Sequence, residues 1–265
     1  MLAKNTLHGQ VAIVTGGATG MGRAMALKFA DLGAKVVVAS RNLENLQTVV
    51  QDIENNGGEA LAIQCDVRNP DQVENMVENT ISHFGSIDIL VNNAAGNFIC
   101  PAEKLTINGW NSVVNIVLNG TFYCSHAVGK RWIQEGRKGN ILNMVATYAW
   151  TGSPGVVHSA SAKAGVLMMT RTLAAEWGRY GIRVNAIAPG PIENTGGADR
   201  LFGTPEIAQK VVEGVPLRRL GTPEEIANLA SYMVSPYADY MTGECVTLDG
   251  GAWLDKGFLG YAGTL

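Results

Sequence analysis

Val11-Ala12-Ile13-Val14-Thr15-Gly16-Gly17-Ala18-Thr19-Gly20-Met21-Gly22 is the stretch that decides the fold. A short apolar run breaks straight into glycines and continues as the amphipathic segment Met21–Leu32. The run reads as a strand and its continuation as a helix. A turn this tight needs residues without Cβ, and a pyrophosphate could approach such a backbone closely. The new helix would offer its unpaired N–H groups and positive dipole end to the phosphates. Thr15, Gly16, Thr19, Gly20 and Met21 are therefore expected around a nucleotide.

Working outward, six more apolar runs follow: Lys35–Ala39, Ala60–Cys65, Ile87–Val91, Asn140–Val145, Arg183–Ile187 and Cys245–Leu248. They are apolar on both faces, as strands buried between two helix layers must be. Helical patterns separate them at Leu43–Asn55, Asp71–Phe84, Trp110–Gln134, Ser161–Tyr180 and Pro223–Ser235. The alternation predicts an α/β fold: a Rossmann-like, doubly wound parallel sheet with helices on both faces. Its 265 residues amount to roughly 1.8 domains of average size. With no linker visible, one domain spanning 1–265 is expected. The irregular, Gly- and Pro-rich stretch Pro189–Thr204 follows a strand end, and a substrate lid is expected around residues 189–215.

Composition narrows the function. Twenty basic and 23 acidic residues leave a net charge of −3, with no basic cluster long enough for a phosphate stripe, so no nucleic-acid partner is expected. No apolar run reaches the length of a membrane span. The opening MLAKNTLHGQ lacks a signal-like apolar core, the closing GTL is not a peroxisomal address, and the four cysteines lack CxxC spacing. A cytoplasmic location is the expectation. His8, His83 and His126 have no metal-ligand spacing.

Twenty residues beyond Gly20, the second strand ends at Ser40-Arg41. A carboxylate is usual there when NAD binds, and it would repel a 2′-phosphate. Neutral Ser40 and the fork of Arg41 predict NADPH instead, unless Arg41 is only a solvated residue at a helix start. Cys65-Asp66-Val67 closes the third strand. Asp66 either accepts from the adenine amino group or serves a helix-preceding turn. Strand four ends in Asn92-Asn93-Ala94-Ala95-Gly96, small residues that admit a cofactor, with Asn93 and Ala94 closest in expectation.

These segments, with Ser159–Gly165, APGPI at 188–192 and LDGG at 248–251, resemble the short-chain dehydrogenase/reductase family over essentially the whole chain. The resemblance implies nicotinamide chemistry at the carboxyl ends of the strands, with Lys163 on the nicotinamide ribose and Pro189, Gly190, Pro191 and Ile192 beside its ring. It also implies an Asn, Ser, Tyr and Lys tetrad, and here the chain departs from the pattern. Lys163 is present, but Ser159 stands at the tyrosine position, Ala146 at the serine and Val117 at the asparagine. A serine hydroxyl is too weak an acid to replace the tyrosine near neutral pH, so ordinary carbonyl reduction is disfavoured.

Two polar residues offer a replacement: Tyr148 just beyond strand Asn140–Val145, and Asn97 after Gly96. Each also reads as structural, a packed aromatic and a turn former. The altered pattern resembles the NADPH-dependent 2,4-dienoyl-CoA reductase branch in AAGNFICPAEKLT, IVLNGTF, ATYAW and HSASAKAG. That resemblance implies a thioester oxygen held by Tyr148 and Asn97, with Ser159 and Lys163 completing the site and a 3-enoyl thioester as product of unsaturated fatty acid β-oxidation. It further implies a homotetramer packed through the long helices, with Arg200 meeting a CoA phosphate and Phe98 and Thr106 at the acyl-CoA entrance. His158 reads either as a substrate contact or as a structural histidine. Two other functions stay open: reduction of another enone or carbonyl, and an NADPH-binding regulator without turnover.

Overall fold

The computed structural model describes residues 2–195 and 204–254. Seven parallel strands form one sheet in the order β3-β2-β1-β4-β5-β6-β7. They are β1 (Val11–Thr15), β2 (Lys35–Ser40), β3 (Ala60–Gln64), β4 (Ile89–Asn92), β5 (Gly139–Met144), β6 (Ile182–Pro189) and β7 (Cys245–Leu248). β1 pairs with β2 from Val11 opposite Lys35, and with β4 from Ala12 opposite Ile89. The chain therefore winds outward in both directions from β1. This reversal opens a crevice above the carboxyl ends of β1 and β4, where α/β sheets bind ligands.

Alternate strand residues feed two apolar layers. Ala12, Val14, Val36 and Val38 pack with α1 (Gly20–Asp31), α2 (Leu43–Asn55) and the last helix, α9 (Pro223–Val234). Ile13, Val37, Leu90 and Ile141 face α3 (Pro70–Phe84), α5 (Gly120–Glu135) and α7 (Val157–Trp177). The helix starts carry their own signals. Asn42 caps α2 and Asn69 caps α3, while Thr222 and Glu225 form a reciprocal capping box on α9. The expected α/β architecture is what the chain adopts.

The elements differ from expectation in four places. The helix expected over Trp110–Gln134 begins earlier, as α4 (Ile107–Val114), and passes through a π-helical turn at Asn115–Asn119 before α5. The helix expected at Ser161 starts at Val157, which brings Ser159 onto its first turn. The presumed lid region contains a helix, α8 (Pro205–Gly214), capped by Thr204. A short helix, α6 (Tyr148–Thr151), also follows β5. Among the described residues no helix is long and apolar enough to cross a membrane.

A buried polar ladder fixes β4 and β5 beneath the crevice. Asn92 Nδ2 donates to Ser125 Oγ and Asn143 Oδ1, each at 2.9 Å, and Asn143 Nδ2 donates to Thr170 Oγ1 at 2.9 Å. These bonds pair the amides in a dry core and resist rearrangement, although Asn92 Oδ1 itself has no partner among the described residues. They hold α5 and α7 in register with the strands that deliver the site.

Candidate active site

A cavity of about 680 Å³ lies over the carboxyl ends of the strands. Strand order sets its polarity. β2 and β3 bring Ser40, Arg41, Asp66 and Val67 to one side, while β5 and β6 bring Tyr148 and Pro189–Ile192 to the other. Gly16, Thr19, Gly20 and Met21 lie between, with Asn93 and Ala94 from the end of β4.

The glycine turn is as tight as its sequence requires. Gly16 and Gly20 adopt φ of +64° and +51°. A Cβ on Gly22 would stand 2.2 Å from the Gly16 carbonyl oxygen, so the first turn of α1 can approach β1 only without a side chain. Thr15 and Asn93 fasten this arrangement from below. Thr15 Oγ1 donates to the Val91 carbonyl at 3.1 Å and accepts from the backbone N–H groups of Asn93 and Ala94. Asn93 Nδ2 donates to the carbonyls of Thr15 and Gly16. The side chains of both residues thus hold the turn, and a nucleotide would meet the backbone they shape.

At the β2–β3 side, Asp66 is engaged by Arg68, whose Nη2 donates to Oδ2 at 2.5 Å and whose Nε also reaches the carboxylate. These bonds, helped by the more distant Arg41, hold the Asp66 carboxyl below the ordinary carboxylate range. Nothing in the sequence marks Arg68 as the partner of Asp66, because the pairing depends on the loop after β3. Arg41 lines the cavity and makes none of the ion pairs found among the described residues.

Tyr148, Ser159, Asn97 and Lys163 all line the cavity, so the structure brings the expected four together. α6 carries Tyr148, and the first turn of α7 carries Ser159 opposite it. Tyr148 Oη and Ser159 Oγ are 3.1 Å apart. Burial raises the phenol pKa, outweighing the hydrogen-bonding influence of Ser159 and of the neighbouring Asn97 amide. Tyr148 is consequently a neutral donor near pH 7. Asn97 Oδ1 accepts from the Phe98 N–H at 2.9 Å, which turns Nδ2 away from that backbone. Nδ2 is buried beside Tyr148 Oη, close enough to influence the phenol but without a hydrogen bond of full geometry. Lys163, one helical turn beyond Ser159, donates to the Met144 carbonyl, and burial draws its pKa down to about 8. Ala146 and Val117 occupy the cavity wall where the tetrad would place polar groups.

A family model described as enoyl-(acyl carrier protein) reductase matches residues 16–252. The chain belongs to the short-chain dehydrogenase/reductase family. A Bacillus subtilis relative named probable 2,4-dienoyl-CoA reductase, (2E)-enoyl-CoA-producing, is 56% identical over 92% of this chain and 96% of its own. A Danio rerio relative, named peroxisomal 2,4-dienoyl-CoA reductase, (3E)-enoyl-CoA-producing, is 41% identical over 94% of this chain and 83% of its own. A crystal structure of a short-chain dehydrogenase from Bacillus anthracis superposes with a TM-score of 0.86 at 59% identity, covering 94% of this chain and 98% of that one. This chain is thus an oxidoreductase of the short-chain family, whose fold implies a nicotinamide cofactor. The glycine cradle and the continuous cavity to Lys163 fit that group.

Three expected substrate contacts fare differently. Thr106 is outside the cavity wall, where its Oγ1 accepts from the Gly109 N–H at 3.0 Å as the cap of α4. Phe98 is not a wall residue either; its ring packs edge-on against His158 at 4.5 Å. Arg200 lies outside the described residues.

Proposed function

We propose that this enzyme reduces 2,4-dienoyl-CoA thioesters with NADPH, in the β-oxidation of unsaturated fatty acids. One observation carries the reading. Where the family's carbonyl-reducing tetrad would lie stand Ala146, Val117 and Ser159, while a neutral phenol and the buried Asn97 amide beside it converge from other elements. The names of the Bacillus and fish relatives support the same substrate class.

NADPH, when bound, supplies a hydride. The protein's work is then electrostatic. Hydride arriving at the δ carbon of a dienoyl thioester drives the electron pair through the conjugated system onto the thioester oxygen. Tyr148 Oη and Asn97 Nδ2 donate to that oxygen as its charge develops, the role for which fixed donors in a dry site are most effective. Ser159 accepts from or donates to Tyr148 and keeps its hydroxyl aimed. Lys163 holds the nicotinamide ribose, and its positive charge, when protonated, adds to the field on the dienolate. Arg41 and Ser40 accommodate the 2′-phosphate, and Asp66 takes the adenine amino group while Arg68 steadies its carboxylate.

A proton from water then completes the product. Delivery to the α carbon gives a 3-enoyl thioester, the outcome we assign; delivery to the γ carbon gives the 2-enoyl isomer named for the Bacillus relative. The two differ in conjugation with the thioester, so ultraviolet absorbance of the isolated product decides between them. Cytoplasmic location and a homotetramer complete the proposal.

The test is NADPH oxidation with a 2,4-dienoyl-CoA. Tyr148→Phe and Asn97→Ala should each lower kcat by roughly 100- to 1000-fold, the cost of one lost oxyanion donor, with NADPH affinity retained. Full activity in both variants would overturn the donor assignment.

A further inference from the structure

His158 is fully buried, and neither ring nitrogen has a hydrogen-bond partner in acceptable geometry among the described residues. It is not a wall residue of the cavity. Its ring meets Phe98 edge-on, with centroids 4.5 Å apart at 63°. Phe98 is wedged from the other side, since a Cβ on Gly109 of α4 would stand 3.3 Å from its ring. The backbone N–H of the same phenylalanine donates to Asn97 Oδ1 at 2.9 Å. Further along, Cys100 N–H donates to the Gly155 carbonyl at 2.8 Å, so the loop after β4 is seated on the segment leading into α7. His158 lies at the buried centre of that seat, one residue before Ser159.

We propose that His158 is a positioning residue for the Asn97 donor. The ring fixes Phe98, Phe98 presents its N–H to Asn97 Oδ1, and the amide is thereby held with Nδ2 on the Tyr148 side. An amide is polar at both ends, and without a fixed partner for its oxygen it could turn the wrong group to the substrate. Burial lowers the His158 pKa, outweighing the opposing pull of the Phe98 and Val156 backbone, so the ring is neutral at physiological pH and leaves the oxyanion field undisturbed. This inference rests on the proposed role of Asn97 in dienoyl-CoA reduction.

A double-mutant cycle tests it on the purified full-length enzyme with a 2,4-dienoyl-CoA and NADPH. His158→Leu should lower kcat at least about tenfold, within the range of contacting residues, with the KM for NADPH unchanged. In an Asn97→Ala background the same substitution should cost little more, because the donor it positions is gone. His158→Phe keeps the aromatic edge and should restore most of the loss. Should His158→Leu fail to fold, Phe98→Leu removes the other half of the contact and must show the same kcat loss and the same non-additivity. Equal losses in both backgrounds, or a His158→Phe variant as impaired as His158→Leu, overturn the positioning role. Inactivity of the wild-type enzyme on every dienoyl-CoA would instead overturn the substrate assignment.

Discussion

Lys163 shows what the site costs the fold. Its amine is buried, and burial lowers its pKa from 10.5 to about 8. Between those values the unfolded chain binds more protons than the folded one, so stability rises with pH across that window. Below pH 8 the whole cost is present, on the order of 3 kcal/mol. Lys163→Met should accordingly raise the melting temperature of the cofactor-free enzyme by several degrees at pH 7, with the advantage shrinking as pH approaches 10. Turnover should collapse in the same variant. Thermal melts across that pH range check both directions, and a lower melting temperature at pH 7 would refute the argument. Arg41 belongs at the same scale, because one guanidinium decides between two cofactors. A hydrogen bond to a charged group is worth about 1.5–3 kcal/mol, so Arg41→Ala should lower kcat/KM for NADPH by roughly 10- to 150-fold. The value for NADH should hardly change, and equal losses with both cofactors would remove Arg41 from the 2′-phosphate.

Among the elements, the turn from β1 into α1 has the least tolerance. A Cβ on Gly22 would overlap the Gly16 carbonyl and crowd Asn93 Nδ2, which stands 2.5 Å away. Overpacking of this kind costs about 1–3 kcal/mol. Gly22→Ala should therefore lower the urea midpoint and weaken NADPH binding together. Gly178→Ala, at a helical φ with open space around its Cβ, should change neither. This turn was legible in the sequence because strand, glycines and helix are contiguous, and the seven strands were legible because each is a short, mainly apolar run between helical patterns. The π turn at Asn115–Asn119 was not. Its side chains keep a helical pattern, and only packing against other elements, such as Leu118 beneath Gly165, distinguishes it. Tyr148 and Asn97 were legible as polar residues just past the ends of neighbouring strands, while their shared role on a thioester oxygen came from the family resemblance. The grip of His158 on Phe98 and of Arg68 on Asp66 joins residues whose relation depends on loop geometry. Thr106 illustrates the opposite hazard: a polar residue near the site was read as a ligand contact, while the local demand of a helix N-terminus uses its hydroxyl.

Across the whole molecule, α5 and α7 belong to one layer but keep apolar side chains on their outer faces. Phe122 on α5 is 46% exposed, and Met168 on α7 is 58% exposed. His126 stacks on Phe122, broadening the flat patch on α5. Inner-face residues of α7 hold Ser159 and Lys163, so the helix that builds the site also presents this surface. A patch on two adjacent helices suits an isologous contact, in which the same surface of each subunit meets its copy about a two-fold axis. Two such axes generate the homotetramer proposed above. Phe122→Asp combined with Met168→Asp should shift sedimentation from tetramer to smaller species, because each charge would be desolvated at the contact and face its symmetry mate. Neither side chain belongs to the core, so the dissociated subunit should keep its fold. Its melting temperature should fall and become less dependent on protein concentration, since association stabilises the folded chain by mass action. A wild-type enzyme that sediments as a monomer at every concentration, or a doubly substituted tetramer, would show that these faces are solvated and that α7 is held in place by the strands and helices of its own subunit alone.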